Sequence, residues 1–220
     1  MIQSRRDFLA TAGLSLPAIG TIPALAQDVS AWPATPEQRT GPFYPEPLPG
    51  ENALDLTRVV GQPGRARGQI VRVSGRLSDR SGRPIGSAIV LVWQADAQGH
   101  YGHSRDGGQA AADSSFRGHE LLRTARDGSF SLTTVRPGAY ADNRSASGLR
   151  TPHIHFEIIG EAGRLITEMY FPNEPLNALD ANIAELKAKG GDPRLLTATP
   201  EGDVAADTTA LRWNVYLSER

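Results

Sequence analysis

The chain has no cysteine, and this absence limits the chemistry open to its 220 residues. Without thiols it cannot form disulfides, thiolate metal sites, iron–sulfur clusters or a cysteine nucleophile. Any metal must therefore be held by histidine, tyrosine, aspartate or glutamate. An excess of one charge is also missing, since 23 lysines and arginines stand against 24 aspartates and glutamates. Neither nucleic acid nor an anionic membrane is expected as a partner.

Long hydrophobic runs are scarce as well. The apolar stretch at residues 10–25 is broken by glycine and proline and is short for a transmembrane helix. It follows the twin arginines Arg5 and Arg6, and it ends in Ala24-Leu25-Ala26, a typical signal-peptide cleavage site. Residues 1–26 are therefore predicted to be a twin-arginine export signal, which makes the mature protein periplasmic and free of a membrane segment.

Glycine and proline, by contrast, are plentiful, at 23 and 16 residues. Dense proline disfavours helix and predicts an extended arm over residues 27–66. Beyond the arm, short alternating or β-branched segments separated by turns predict strands. These segments are residues 70–77, 87–93, 119–124, 130–134, 151–158, 165–171 and 211–217. Helical spacing is found at residues 176–189, before Gly190-Gly191.

This pattern predicts a mainly β protein of one domain. Many short strands joined by turns are typical of an antiparallel β-sandwich, which we assign to residues 67–220. The sandwich is expected to carry one short helix and the proline-rich N-terminal arm.

The segment at residues 151–158 carries two histidines, His153 and His155. Side chains on a strand alternate between its two faces, so Ile154, Phe156 and Ile158 should pack inward while both histidines point outward. Glu157 shares the histidine face and is expected to support it or to meet solvent. Two imidazoles on one face can supply half of a metal site. A lone His-x-His pair, however, is more typical of ordinary polar positions on a strand than of a metal site.

Tyrosines could complete such a site. Ferric iron is a hard cation that favours anionic oxygen donors. A phenol ordinarily ionises near pH ~10, but a bound cation favours the ionised form. Among the five tyrosines, Tyr101 and Tyr140 lie in turn-rich segments at strand ends, where scaffolds often position functional groups.

Three motifs follow one another along the chain: Gly99-His100-Tyr101, Pro137-Gly138-Ala139-Tyr140 and Arg150-Thr151-Pro152-His153-Ile154-His155-Phe156. Their order resembles that in the intradiol ring-cleavage dioxygenases, non-haem ferric enzymes that open catechol-type rings. The segment from Gly82 to Tyr101 looks like the signature region of that family, and the segment from Thr40 to Pro45 is similar to its arm. The resemblance runs from the arm to the C-terminus.

The resemblance implies a ligand set and a reaction. Tyr101, Tyr140, His153 and His155 would hold a non-haem Fe(III) ion, and Arg150 would lie beside the substrate. Tyr140 matches the ligand that leaves the iron on substrate binding and can then accept a substrate proton. The expected partners are a small aromatic diol and O2. Both oxygen atoms would enter the diol, and the ring would open between the two hydroxyl-bearing carbons to give a muconate-type diacid.

Two features favour the protocatechuate-type branch of the family. The arm stands where the catechol-type enzymes carry a sizeable helical segment, and the loop lengths look closer to a protocatechuate 3,4-dioxygenase subunit. Glu168 departs from the pattern, because the family often has glutamine there. An anion beside an anionic catecholate is repulsive unless it is protonated or paired with Arg150, which makes Glu168 a candidate catalytic residue. A homo-oligomer is compatible with the sequence.

Three other functions share parts of this pattern. A cupin would need a glutamate several residues beyond the second histidine and then a further histidine, yet Glu157 is too close and no histidine follows it. A zinc hydrolase would need a third ligand such as His100, His103 or His119, and no helical His-Glu motif supports it. A secreted β-sandwich binding module with an altered metal site remains the alternative, because fold alone does not fix function.

Overall fold

A computed structural model of the chain describes residues 31–46, 54–107, 111–205 and 207–218. The predicted export signal lies outside the described residues. Within them the chain forms strands and one α-helix, whose bounds are β1 Ile70–Asp79, β2 Ile89–Trp93, β3 His119–Arg123, β4 Ser129–Val135, β5 Tyr140–Ala141, β6 Leu149–Arg150, β7 His153–Gly160, β8 Gly163–Tyr170, α1 Ala181–Ala188, β9 Thr199–Ala205, β10 Thr208–Arg212 and β11 Val215–Leu217. The mainly β fold with one short helix is confirmed.

The first sheet is organised around β1. Strand β4 pairs with β1 antiparallel, whereas β10 and β11 pair with it parallel, one after the other along its length. Strand β9 adds to β10 antiparallel. The sheet is therefore mixed. The single strand predicted at residues 211–217 is split at Trp213 and Asn214, where the chain moves from one part of β1 to the next.

The second sheet has the order β3-β2-β7-β8 and is antiparallel throughout. Ile154, Phe156 and Ile158 of β7 have no exposed surface and pack against Val73 and Leu77 of β1, so the core lies between the two sheets. The inward phase predicted for these residues is confirmed. A separate ribbon of β5 and β6 pairs Tyr140 with Arg150.

The predicted helix at residues 176–189 begins later than its apolar spacing indicates. A 3-10 turn occupies Pro175–Ala178, and α1 starts only at Ala181. The cause is Asp180, whose carboxylate accepts hydrogen bonds from the backbone N–H groups of Asn182 and Ile183 and caps the helix there.

The outer face of the second sheet is also buried. Residues 31–46, within the predicted arm, lie across it, held in part by a 2.8 Å hydrogen bond from Gln38 N to Ile166 O. Helix α1 covers another part of the same outer face, where Ile183 and Leu186 pack with Tyr170. Leu56, from the later part of the predicted arm, is fully buried in the core. Across the described ranges, no helix is long and apolar enough for a membrane span.

Candidate metal centre

Strand β7 presents His153 and His155 on this covered outer face. Both imidazoles are buried, and their Nε2 atoms lie 3.1 Å apart. Nδ1 of His153 lies 2.6 Å from the carbonyl oxygen of Thr151. Because a carbonyl only accepts hydrogen bonds, Nδ1 must carry the proton, and Nε2 of His153 presents a lone pair toward His155.

The ring of His155 is held between two neighbours. It stacks on Trp93 with the ring centroids 4.7 Å apart and the planes 3° from parallel. Its Nδ1 lies 3.6 Å from Oε1 of Glu168, which is beyond hydrogen-bond distance, and has no hydrogen-bond partner among the described residues. Without a cation, Nε2–H of His155 can donate to Nε2 of His153. With the His155 proton on Nδ1, beside the Glu168 carboxylate, both Nε2 lone pairs would be free to bind one cation.

Both histidines are neutral near pH 7, as metal ligands must be. Burial lowers the pKa of His153 well below its usual value, and the nearby Arg150 charge lowers it further. Burial likewise lowers the pKa of His155 to about 4, although the Glu168 carboxylate opposes this effect. The donor atoms are therefore available to a cation at neutral pH.

Tyr101 and Tyr140 complete the group. The Tyr101 ring centroid lies 6.3 Å from that of His155, the Tyr140 centroid lies 5.7 Å from that of His153, and the two tyrosine centroids are 5.5 Å apart. The Tyr101 hydroxyl is buried and has no hydrogen-bond partner among the described residues. The structure thus brings all four residues predicted as ligands into one cluster.

Without a cation both phenols keep their protons. Burial raises the pKa of Tyr101 well above its usual value, and the neighbouring Tyr140 adds to the effect. Burial raises the pKa of Tyr140 to about 12, against the opposing charge of Arg150. A bound cation would reverse this preference and release the protons.

The glycines of the two tyrosine motifs allow two turns to pack backbone against backbone. Gly99 has φ +90°, and a Cβ atom there would lie 2.4 Å from the carbonyl oxygen of Ala139. A Cβ atom at Gly138 would lie 2.5 Å from the amide nitrogen of Gly99. No side chain fits at either position. This close approach places Tyr101 beside Tyr140.

Arg150 lies at the edge of the cluster between two buried carboxylates. Its Nε donates to Asp180 at 2.8 Å, and one terminal nitrogen donates to Glu168 at 2.8 Å. The Tyr170 hydroxyl also donates to Glu168. From the sequence, an ionised Glu168 beside an anionic diol was expected to need pairing with Arg150. The structure shows this pairing.

The charges in this network support one another. Burial by itself raises the pKa of the Glu168 carboxyl, but the charge of Arg150 and the hydrogen bond from Tyr170 help to hold the pKa at about 2, so the group is ionised at neutral pH. Burial lowers the pKa of the Arg150 guanidinium, but Glu168 and the other acidic groups around it together outweigh this effect, and the pKa is raised. One fixed cation thus sits between two fixed anions.

Glu168 could itself be considered a metal ligand. Donor atoms of His153, His155 and Glu168 all lie within 4.8 Å of one another. The carboxylate of Glu168, however, already accepts hydrogen bonds from Arg150, Tyr170 and Asn182. These hydrogen bonds fix the carboxylate between Arg150 and His155.

A cavity of about 700 Å³ opens beside the cluster. A volume of this size is ample for one aromatic ring with substituents. Tyr140 and Arg150 line it, together with arm residues from Glu37 to Phe43 and with Ile166 and Asn182. Neither Tyr101 nor Glu168 is among its lining residues. A ligand in the cavity would therefore meet Tyr140 and Arg150 first.

A family model described as "Dioxygenase" matches residues 39–219, which include every residue of this cluster. The chain belongs to the intradiol ring-cleavage dioxygenase family. The relatives found within this family act, by their names, on several different aromatic diols. The resemblance inferred from the three motifs is thereby confirmed.

Two curated members of the family illustrate the range. The beta chain of protocatechuate 3,4-dioxygenase from Burkholderia cepacia is 38% identical over 128 residues, which is 57% of this chain and 54% of that protein. The 6-chlorohydroxyquinol 1,2-dioxygenase of Cupriavidus pinatubonensis is 31% identical over 134 residues, covering 56% and 47%. The chain thus spans about half the length of these curated relatives.

Solved structures agree with the fold. The dioxygenase domain of a dioxygenase–carbohydrate-binding protein fusion from Streptomyces sp. SirexAA-E matches with a TM-score of 0.61 and 26% identity, over 86% of this chain and all of that one. The 3-chlorocatechol 1,2-dioxygenase of Rhodococcus opacus 1CP matches with a TM-score of 0.66 and 21% identity, over 84% of this chain and 72% of that one. At 21% identity the second match shows the fold alone.

The arm covers the cluster of Tyr101, Tyr140, His153 and His155. The sequence did not predict this position. Phe43 stacks on Tyr101 with ring centroids 4.4 Å apart. Gly41 has φ +73°, and a Cβ atom there would lie 3.3 Å from Cε1 of His155. The similarity of the segment from Thr40 to Pro45 to the family's arm was the available signal, but it gave no position for the arm.

The buried carboxylate of Glu157 holds the arm in place. The Tyr44 hydroxyl donates to Glu157 at 2.6 Å, and Arg164 donates to the same carboxylate at 2.6 Å. The Tyr44 ring also meets the edge of Trp93, which backs His155. The expectation that Glu157 supports the histidine face or meets solvent is thus resolved: its side chain is only 6% exposed and holds the arm.

Tyr44→Phe removes only the hydroxyl that donates to Glu157. A hydrogen bond to a charged group contributes about 1.5–3 kcal/mol, so the arm should open about tenfold or more as often. We expect residues 38–44 to exchange their amide hydrogens correspondingly faster, as measured by mass spectrometry. Tyr216→Phe removes a hydroxyl but keeps the ring that stacks on Trp32 in the earlier part of the arm, so it should leave that exchange unchanged. Equal protection in the wild type and in Tyr44→Phe would show that Glu157 does not hold the arm.

Proposed function

We propose that the protein is a non-haem ferric dioxygenase that opens an aromatic 1,2-diol between its two hydroxyl-bearing carbons. Both atoms of O2 would enter the product, a muconate-type diacid. The observation that carries the proposal is the convergence of two neutral imidazoles, whose Nε2 atoms lie 3.1 Å apart, beside a buried tyrosine hydroxyl that has no hydrogen-bond partner among the described residues. Such a donor set suits a hard trivalent cation.

Tyr101, Tyr140, His153 and His155 would hold the ion. Two tyrosinates offset two of its three charges, a hydroxide offsets the third, and the histidines stay neutral, so that little net charge is buried. When bound, the ferric ion would supply the Lewis acidity that chelates the diol and makes its ring reactive toward dioxygen. The arm, with Phe43 packed on Tyr101, excludes water from this side of the centre.

Tyr140 is suited to take a proton from the substrate. It lines the cavity, whereas Tyr101 does not. Away from a cation, burial raises the pKa of Tyr140 to about 12. Once displaced from the ion, the Tyr140 phenolate would therefore take up a proton from the diol. Tyr101, which does not line the cavity, would stay in place.

Arg150 would stabilise negative charge that develops on the ring. It reaches the cavity wall as a fixed cation, already oriented by Glu168 and Asp180. A preorganised charge needs no rearrangement during the reaction and is correspondingly effective. Glu168 does not line the cavity, and its pairing with Arg150 removes most of the repulsion that an anionic diol would otherwise meet.

Colour and oxygen uptake test the proposal. We expect the iron-loaded protein to be red-brown from tyrosinate-to-iron charge transfer. It should consume O2 with at least one of catechol, protocatechuate and hydroxyquinol, and product analysis should show intradiol cleavage. A folded, iron-loaded but colourless sample that consumes no diol would favour the alternative, a secreted β-sandwich binding module with an altered metal site.

Export by the twin-arginine pathway remains a proposal that rests on residues 1–26. Cell fractionation of the full chain and of a variant with Arg5 and Arg6 replaced by lysine tests it. The full chain should reach the periplasm, and the variant should stay in the cytoplasm.

A further inference from the structure

His155 and Glu168 are direct partners across the pair of strands β7 and β8. Nδ1 of His155 lies 3.6 Å from Oε1 of Glu168, which is too far for a hydrogen bond. This Nδ1 is buried and has no hydrogen-bond partner among the described residues. A buried polar atom without a partner is unfavourable, and in folded proteins it usually has a reason.

The two carboxylate oxygens of Glu168 are used unequally. Oε2 accepts a 2.8 Å hydrogen bond from Arg150 and another from the Tyr170 hydroxyl. Oε1, the oxygen beside His155, has longer contacts of 3.4 Å with Arg150 and 3.3 Å with Asn182. Hydrogen bonds from nitrogen to oxygen are usually ~2.7–3.2 Å long, so Oε1 can still accept a strong one.

A bound cation would give His155 a donor for that oxygen. Without a cation, Nε2–H of His155 can donate to Nε2 of His153. A cation at Nε2 requires the lone pair of that atom, so the single proton of the neutral ring then lies on Nδ1, beside Oε1. Trp93 stacks on the ring with the planes 3° from parallel, which restrains tilting but leaves movement within the ring plane. A small shift in that plane closes the contact to a hydrogen bond.

The charge behind this contact is negative. Glu168 and Asp180 are both ion-paired with Arg150 at 2.8 Å, and neither carboxylate has exposed surface. Two carboxylates and one guanidinium leave one negative charge in excess. The Asp180 carboxylate accepts from Arg150, from Thr151 N and from the first turn of α1. Glu168 is therefore the member of this group that brings negative charge to a predicted ligand, His155.

We propose that Glu168 accepts a hydrogen bond from Nδ1–H of His155 when the ion is bound and, through that ligand, stabilises the ferric state over the ferrous state. The inference rests on the function proposed above and adds a positioning residue to its site. Fe(III) carries one more positive charge than Fe(II), so an anion held against a ligand favours Fe(III) and makes the imidazole a stronger donor. Glu168 acts through His155 and does not line the cavity.

The reduction potential of the iron tests this role. Glu168→Gln keeps the shape of the side chain and removes its charge. Loss of a partner behind a metal ligand typically costs ~10–100-fold in metal affinity. We expect the affinity for Fe(III) relative to Fe(II) to fall by about tenfold or more, which raises the potential by about 59 mV or more for this one-electron couple. A redox titration followed through the tyrosinate-to-iron absorption band measures it.

Asp180→Asn is the matched control. It removes one buried negative charge from the same group, and asparagine still caps α1. Because the Asp180 carboxylate makes its contacts with Arg150 and backbone N–H groups, the potential should rise by less than half as much as in Glu168→Gln. An equal or larger rise would show that the total buried charge sets the potential, and the specific role of Glu168 would be overturned.

The wild type gives a second test that does not depend on the folding of a variant. Ga(III), a diamagnetic trivalent ion without redox chemistry, replaces iron in protein with nitrogen-15-labelled histidines. Nuclear magnetic resonance should then find the proton of His155 on Nδ1, with the downfield shift of a hydrogen bond to a carboxylate. A His155 ring that carries no proton on Nδ1, or one whose Nδ1 proton is not hydrogen-bonded, would overturn the proposal.

The outcomes separate two failures. An iron-loaded protein without the tyrosinate band and without oxygen uptake with any diol would count against the proposed function, and this inference would fall with it. A coloured and active enzyme whose potential is the same in the wild type and Glu168→Gln would overturn the role of Glu168 and leave the dioxygenase proposal standing.

Discussion

Tyr101→Phe should fold at least as stably as the wild type and yet lose its iron-dependent colour and its turnover. The variant removes one oxygen atom, and that oxygen is buried and has no hydrogen-bond partner in the part of the chain that the structure describes. Removing an unsatisfied buried hydroxyl relieves a desolvation penalty of about 1–3 kcal/mol. Loss of an anionic iron ligand, in contrast, should reduce iron affinity and oxygen uptake by more than the ~10–100-fold typical of residues that only support ligands.

Two measurements on the same samples separate these effects. Thermal unfolding of the iron-free protein reports the stability, and visible absorption after iron loading reports the ligand. Tyr216→Phe, which changes a tyrosine outside the cluster, should retain colour and turnover. A red-brown Tyr101→Phe protein would remove Tyr101 from the ligand set, and a clearly destabilised iron-free protein would mean that its hydroxyl has a structural partner.

Arg150→Met should lower the free energy of unfolding by about 3–5 kcal/mol and abolish turnover. The reason is that Glu168 and Asp180, both without exposed side-chain surface, would be left as buried charges without their common partner. Arg212→Met breaks an ion pair with Glu201 in which the Arg212 side chain is 52% exposed. That change should lower the free energy of unfolding by no more than about 1 kcal/mol. Urea denaturation of both variants gives the comparison.

The double variant Arg150→Met, Glu168→Gln distinguishes stability from catalysis. Neutralising Glu168 should restore part of the lost stability, because one of the two stranded charges is removed, whereas oxygen uptake should stay absent. If Arg150→Met proved no more destabilising than Arg212→Met, the buried network would contribute far less than its geometry implies. If the double variant regained turnover, Arg150 would have no direct electrostatic role.

Alternation along the chain was enough to predict which side of β7 faces the core, because every second residue from Ile154 to Ile158 is apolar. It could not show that the opposite side is also covered. That depends on Tyr44, whose partner Glu157 lies 113 positions away in the sequence. Periodicity reports which face a side chain occupies and carries no information about a distant segment that later packs on that face.

Two errors in the predicted elements have equally local causes. The sequence over residues 211–217 alternates without interruption, but the strand itself is broken. The break occurs because the chain moves from one part of β1 to the next part, pairing parallel with each. Gly75 permits the crossing, since a Cβ atom there would lie 1.9 Å from the carbonyl oxygen of Trp213. In the helix, apolar spacing begins before the cap at Asp180, and capping decides where the helix starts. The ligand set itself was recognised from motif order, which spacing alone would not have assigned.

The long separation between Tyr44 and Glu157 also orders events during folding. Residues 31–46 leave the ribosome before any strand of either sheet, but they have no surface to lie on until β7 and β8 have paired more than a hundred residues later. Contacts between such distant residues carry a large loop-closure entropy and tend to form late. The earliest part of the described chain to be synthesised is thus among the last to settle, and while it is unplaced the histidines remain open to an entering ion.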